Sequence, residues 1–177
     1  MSASNRTTWD FLTDTYWYVT YPDLPALQFS SSDNVLSWTG DQTVWHISGY
    51  KNGYIWGVSS ALLFDPESNG KTRSPQQRSM LGTVTANGQV QISFIGNKHF
   101  QETVTGFGQM SKVDEQWVFQ MQMSSSFNGS QTLHWANMMQ TTETEPSWEK
   151  LPGVNCSVPD MLEGASYPQF ENASRSD

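Results

Sequence analysis

From Tyr16 to Thr142 the chain alternates apolar and polar residues in short runs rich in β-branched and aromatic side chains, the period expected of half-buried strands. Strands are predicted near 15–21, 34–38, 41–50, 54–64, 79–86, 89–95, 98–105, 109–113, 116–125 and 130–142, after a lead-in with helical character over Thr7 to Asp14. No long amphipathic helix is present. Three Asn-Gly pairs, Asn52-Gly53, Asn87-Gly88 and Asn128-Gly129, lie between such runs. Both residues of the pair tolerate the positive φ of a type I′ turn, so each pair predicts a hairpin. Further breaks are expected at Thr39-Gly40, Gly96-Asn97, Gly106 to Gly108 and Asp114-Glu115. The fold class is therefore all-β: an up-and-down antiparallel meander, closed into a small barrel of about eight to ten strands because closure removes exposed edges. A two-sheet sandwich is the alternative. The barrel is assigned to 1–142, and the acidic, Pro-containing tail 143–177 is expected to pack on the barrel or fray from it. The loop from Asp65 to Arg78 reads as a cover over one barrel end or as disorder.

A two-residue turn also fixes which residues share a face. Around Asn128-Gly129 the predicted pairs Met123–His134, Met121–Ala136, Phe119–Met138 and Trp117–Gln140 form an apolar, inward face, while Gln122–Trp135, Gln120–Asn137 and Val118–Met139 face outward. At Asn87-Gly88 the interior pairs are Leu81–Phe94, Thr83–Ile92 and Thr85–Val90. At Asn52-Gly53 they are Trp56–Gly49, Val58–Ile47, Ser60–Trp45 and Leu62–Thr43, with Leu36 and Trp38 added by the Thr39-Gly40 turn. The expected ligand-facing set is Trp38, Trp45, Tyr54, Trp56, Phe94, Trp117, Phe119, Met121, Met123 and Met138. Rings and thioethers of this kind either fill a core or line an apolar site.

This architecture resembles the calycins, the lipocalin and avidin-like barrels, over roughly Tyr16 to Thr142. The likeness rests on Tyr16-Trp17-Tyr18 opening the first strand before a Trp-rich meander. The lipocalin Gly-x-Trp opening is absent, since Asp14-Thr15 precede Tyr16-Trp17, so the resemblance implies a ligand-holding barrel and no particular ligand.

Composition narrows the partners. Charged residues are 15% of the 177, and the net charge is −8 without any Lys/Arg cluster, which argues against a phosphate backbone or an anionic membrane surface. The longest apolar stretch, Ile55 to Phe64, is too short to span a bilayer. The N-terminal residues lack the apolar core of a signal peptide, and a cytoplasmic location is expected. The single cysteine, Cys156, fits a reducing compartment. Sequons at Asn5, Asn128, Asn155 and Asn172 are attributed to the Ser/Thr/Asn-rich composition.

No phosphate loop, dinucleotide fingerprint, nucleophile elbow or zincin helix is present, and His46, His99 and His134 do not converge. No metal and no cofactor are therefore expected. The candidate acid/base is His134, on an apolar strand face, with Glu102 as its carboxylate partner if the turn at Gly96-Asn97-Lys98 has three residues. A two-residue turn instead puts His99 inside and Glu102 outside. Asp41 and Tyr54 are placed near inward strand ends, where polar groups orient a ligand, and His46 on the outer face. The resulting expectation is a cofactor-independent cyclase, isomerase or lyase acting on an apolar or aromatic small molecule. A non-catalytic carrier and a packed-core interaction module are the alternatives. Outward Trp135 and Met139 beside Val118 hint at a homodimer.

Overall fold

The computed structural model describes residues 9–65, 74–96 and 103–170. It is an all-antiparallel closed β-barrel with eight wall positions and one strand more. The strands are β1 (Thr15–Val19), β2 (Pro25–Ser30), β3 (Val35–Lys51), β4 (Tyr54–Phe64), β5 (Gln76–Val84), β6 (Gln89–Gly96), β7 (Thr103–Val113), β8 (Gln116–Phe127) and β9 (Ser130–Thr141). From β3 to β9 each strand pairs with the next in sequence. The gap between β3 and β9 is filled twice: by β1 alongside Val44–Ile47 and Met138–Thr141, and by β2 alongside Val35–Gly40 and Ser130–His134. The two behave as one wall strand interrupted by the turn at 20–24, because the register to both neighbours slips by three residues across it (Thr15↔Ile47 against Ala26↔Thr39; Tyr16↔Thr141 against Ala26↔His134).

The three Asn-Gly hairpins form, but by different turns. Asn52-Gly53 and Asn128-Gly129 have positive φ at both residues, whereas at Asn87-Gly88 only Gly88 does. There Gly88 N–H donates to the Thr85 carbonyl and Gln89 N–H to the Thr85 hydroxyl, giving a three-residue loop that ends in a left-handed glycine. The extra loop residue moves every pair by one: Met80, Gly82 and Val84 pair with Phe94, Ile92 and Val90, and Leu81 turns outward, 51% exposed. The interior assignment of Leu81, Thr83 and Thr85 is thereby corrected.

A second correction comes from a bulge at Ser48. Gly49 pairs with Trp56 as the turn dictates, but beyond Ser48 the partners of Ile47, Trp45 and Thr43 are Gly57, Ser59 and Ala61. The extra residue flips the face of everything past it. Ile55 and Trp45 are buried, and Trp56 lies on the outer wall, edge-on to Phe170. Thr39-Gly40 is no turn at all. It lies inside the 17-residue β3, and the turn falls at 31–34 instead, so the even-numbered Leu36 and Trp38 face out. Gly106 and Gly108 likewise sit within β7, where a side chain would collide with Met123 and Met121. Those glycines make room for the thioethers.

One continuous core fills the barrel, from Trp9 and Leu12 at one end through Trp17, Trp45, Phe94, Phe119, Met121 and Met138. The rings meet edge-on or tilted, Trp17 with Phe119 at 4.6 Å and Trp45 with Phe94 at 5.4 Å. The end carrying the 52–53, 86–88 and 114–115 turns is stoppered by the residues around the 3₁₀ turn Asp10–Leu12: Trp9 packs on Trp117 and donates its indole N–H to the Thr85 carbonyl.

Residues beyond Thr141 cross the outer wall. Leu151, Val154, Val158 and Met161 cover Val44 and Leu62 in a second apolar cluster, and the short helix Val158–Leu162 is held by a reciprocal capping box between Ser157 and Asp160. The buried Gln42 staples the segment down, donating to the Val19 carbonyl and accepting from Gly153 N–H. No helix among the described residues is long and apolar enough to cross a membrane.

The bulge requires a glycine opposite it, because a β-carbon on Gly57 would run into the His46 carbonyl. Gly57→Ala is expected to destabilise the barrel by roughly 1–3 kcal/mol, the usual cost of overpacking, read from the urea midpoint. An unchanged midpoint would show that the strand pair relaxes around the bulge.

Candidate functional site

Polar side chains gather inside the barrel at the end opposite the stopper. There Asp41 and Thr43 of β3, Ser59 of β4, Arg78 of β5, Ser125 of β8, and Thr132 and His134 of β9 share a cavity of about 60 Å³ with Trp45, Phe94 and Met123. Asp41, Arg78 and His134 are each nearly excluded from solvent. Buried ionisable groups are costly to place and concentrate where chemistry is done.

The backbone explains how His134 reaches Asp41. His134 pairs with Ala26 on β2, and Ala26 pairs with Thr39 on β3, two residues from Asp41 along the same inward face. Ala26 is fully buried and offers only a methyl group, so histidine and aspartate meet over it with Nε2 and Oδ2 3.4 Å apart. The aspartate is fixed on two further sides. Its Oδ1 accepts the Thr43 hydroxyl at 2.7 Å, and its backbone N–H donates to the Leu24 carbonyl at 2.8 Å. A carboxylate beside Nε2 favours the tautomer protonated there and leaves Nδ1 with its lone pair. Nδ1 has no hydrogen-bond partner among the described residues, and neither has the indole nitrogen of Trp45. Two buried nitrogens on residues lining one cavity, both without a partner among the described residues, mark this end of the barrel as the candidate site.

The ten residues expected to face a ligand therefore divide. Trp45, Phe94 and Met123 line the cavity beside His134. Phe119, Met121 and Met138 are fully buried in the packed core, and Trp117 is half-buried against the stopper with the Lys112 ammonium over its ring at 5.4 Å. Trp38 and Tyr54 are on the outer surface, 69% and 63% exposed, and Trp56 is half-buried there, for the reasons of register given above. Tyr54 and Trp56 instead border an apolar groove of about 470 Å³ outside the barrel, with Leu81, Pro168 and Phe170. Glu102 and His99 lie outside the described residues, as do 66–73; among the described residues the carboxylate beside His134 is Asp41. Arg78 was missed as an interior residue. Its signal was the β5–β6 register, since a three-residue turn at 86–88 carries Met80 and Arg78 inward together.

His46 is on the outer wall, and the C-terminal segment buries it. Its Nε2 meets Asp14 Oδ1 at 2.9 Å and its Nδ1 the Tyr167 hydroxyl at 2.8 Å, while Tyr16 stacks on the ring at 4.0 Å. Burial raises the Tyr167 phenol above its ordinary range, helped by Tyr16 and Asp14. Burial likewise raises Tyr16, with Asp14 and Glu143 adding. The Cys156 thiol is also pushed up, by burial and then by Asp160, so it is a poor nucleophile at neutral pH. No group of three metal-ligating side chains occurs among the described residues.

No protein-family model, no curated protein and no solved structure matches this chain.

The tyrosine environment gives a pH dependence. Phenols whose folded pKa lies above the unfolded value favour the fold fully below pH 10, and that contribution disappears as pH climbs through the raised values. The unfolding midpoint is expected to fall between pH 9 and pH 11, approximate bounds set by the ordinary tyrosine pKa, and to fall less in Tyr167→Phe. Parallel pH profiles for the two proteins would remove Tyr167 from the explanation.

Proposed function

We propose that this protein is a cofactor-independent isomerase, cyclase or lyase, and that the His134–Asp41 pair moves a proton on an apolar small molecule presented at the barrel end opposite the stopper. The observation that carries the reading is the unpartnered Nδ1 of a buried histidine whose other nitrogen faces a fixed carboxylate. In this role Nδ1 removes a proton from carbon next to a carbonyl or a leaving group, and Asp41 offsets the charge of the imidazolium. Return of the same proton at another carbon completes an isomerisation. Its delivery to the departing oxygen completes an elimination of water. Neither outcome needs an electron acceptor.

The cavity of about 60 Å³ sets the binding mode, being well below the roughly 300–1,000 Å³ of sites that engulf a whole ligand. Only the reacting group enters, between Trp45, Phe94 and Met123, and the remainder of the substrate extends towards the barrel mouth. The water-poor setting strengthens the electrostatic contribution of Asp41. We infer a calycin-like, cytoplasmic enzyme, with the Trp45 N–H, on the wall of the same cavity, as a donor to the developing negative charge.

A carrier is the second reading, and the outer groove is what favours it: its volume falls within the small-molecule range, and its walls are Tyr54, Trp56, Leu81 and Phe170. Native mass spectrometry of the protein from its own host, followed by extraction, separates the two. Two retained species of equal mass, or differing by one water, support the enzyme. A single unchanged ligand whose affinity falls on Trp56→Ala supports the carrier. With the substrate so identified, His134→Ala is expected to lower kcat about 10²–10⁴-fold, the range for general acid–base groups, with KM within a few-fold. Turnover that survives His134→Ala would end the acid/base assignment.

A further inference from the structure

The charged residues are unevenly placed. From Gln116 to Thr142 there is no Asp, Glu, Lys or Arg, nor is there any in 24–32, 35–40 or 103–111. Those segments are β2, the first part of β3, most of β7, and all of β8 and β9. They are contiguous in the barrel, so one whole side of a chain with net charge −8 is electrically neutral on its outer surface.

Large apolar side chains are concentrated on that side. Leu27 pairs with Trp38 on one neighbour and Leu133 on the other, so the three stand in a row across β3, β2 and β9. Below them Phe29 pairs with Leu36, and above them Trp135 continues the β9 face. Trp38, Leu36, Trp135 and Leu133 are exposed by 69, 64, 61 and 45%. Two strands further on, Phe107, 60% exposed, reaches the same surface across Gln122. At about 150–250 Å² for a large ring, and somewhat less for leucine, these five side chains present roughly 600 Å² of apolar area. That is at or beyond the largest patch of an ordinary monomer, about 300–600 Å². It approaches the ~800 Å² each partner contributes to a standard interface, with the flanking Gln131, Gln122 and Ser124 able to supply the remainder.

We propose that this face, centred on Leu27 and Leu133, is a self-association surface through which two copies of the chain form a dimer. Charge decides for a second copy. Two bodies of −8 repel wherever their charged surfaces meet, and a two-fold contact sets each patch against its own copy. Only an uncharged face permits that approach without pairing like charges. The composition also suits it: homodimer interfaces are the apolar ones, poor in charge at the centre and rich in tryptophan and phenylalanine anchors. A charged partner would find nothing here to pair with. A glycan would use the rings and amides but leave Leu36 and Leu133 unexplained.

Sedimentation velocity over a concentration series tests the proposal without knowledge of any substrate. The chain is expected to run at twice its 20.0 kDa, with dissociation at micromolar concentrations or below. Because no ion pair holds the contact, raising the salt should leave the dimer intact or tighten it by screening the repulsion. Trp38→Glu and Leu133→Glu, both on the outer wall, should each weaken dimerisation by ~100-fold or more while circular dichroism stays native. Leu81→Glu, exposed on β5 away from the neutral wall, should leave it unchanged. A 20.0 kDa species throughout the series overturns the proposal, as does a dimer that persists in both Trp38→Glu and Leu133→Glu.

Discussion

Closure is the constraint on which this structure depends. A sheet of this composition, rich in Thr, Trp and Gln and poor in charge, would expose an edge of unpaired N–H and C=O groups that few lysines or prolines could protect. The barrel removes that edge by placing the interrupted β1–β2 strand between β3 and β9, so both flanks of the first wall position are bonded. The interruption has a further effect. The turn at 20–24 brings the Leu24 carbonyl onto Asp41 N–H and the small Ala26 between His134 and Asp41. The closing strand thus shapes the polar site as well as completing the wall.

How far sequence reading reached is explained by the turns. The Asn128-Gly129 hairpin was legible throughout, because a type I′ turn with no bulge transmits one register along the whole of β8 and β9; Met123–His134 and Phe119–Met138 follow directly. The Asn52-Gly53 turn is of the same type, and its first pairs were legible too, but Ser48 inserts one residue. Its hydroxyl bonds the Trp56 carbonyl across the strand. A serine among alternating residues carries no mark of a bulge, so Ile47, Trp45 and Thr43 face inward as expected while the partners expected for them, Val58, Ser60 and Leu62, face outward. At Asn87-Gly88 the Asn-Gly pair suggested two loop residues where Thr85 makes three, its hydroxyl capping the loop through Gln89 N–H. Local chemistry two residues outside the turn decided the register.

The site was half legible for the same reason. His134 lies on the hairpin whose register could be trusted. Its carboxylate partner belongs to a strand two positions away, linked through β2, whose short run Pro25–Ser30 carried no strong strand signal. Asp41 was expected near an inward strand end, yet nothing local tied it to His134. That contact arises only when the first wall strand closes the barrel. Arg78, at the start of β5, depended on the one hairpin whose loop length was misread.

The placement of charge ties interior and exterior together. In this chain with few charges, Asp41 and Arg78 are put inside, where an ionised group costs several kcal/mol unless paired, while a broad outer wall has none. Packing alone would favour the reverse arrangement. A leucine at 41 would extend the apolar core of Trp45 and Phe94, and a lysine at 133 would make the wall more soluble. The two proposals give each departure a use: a substrate atom beside His134 inside, and a second copy of the chain against Leu133 outside. The two residues are adjacent in sequence, so one strand, β9, turns alternate side chains to the two surfaces. A change in β9 register by a single residue would exchange the two faces, putting Leu133 inside and His134 outside. The unbulged Asn128-Gly129 turn that fixes this register is therefore as much a determinant of the site as His134 itself.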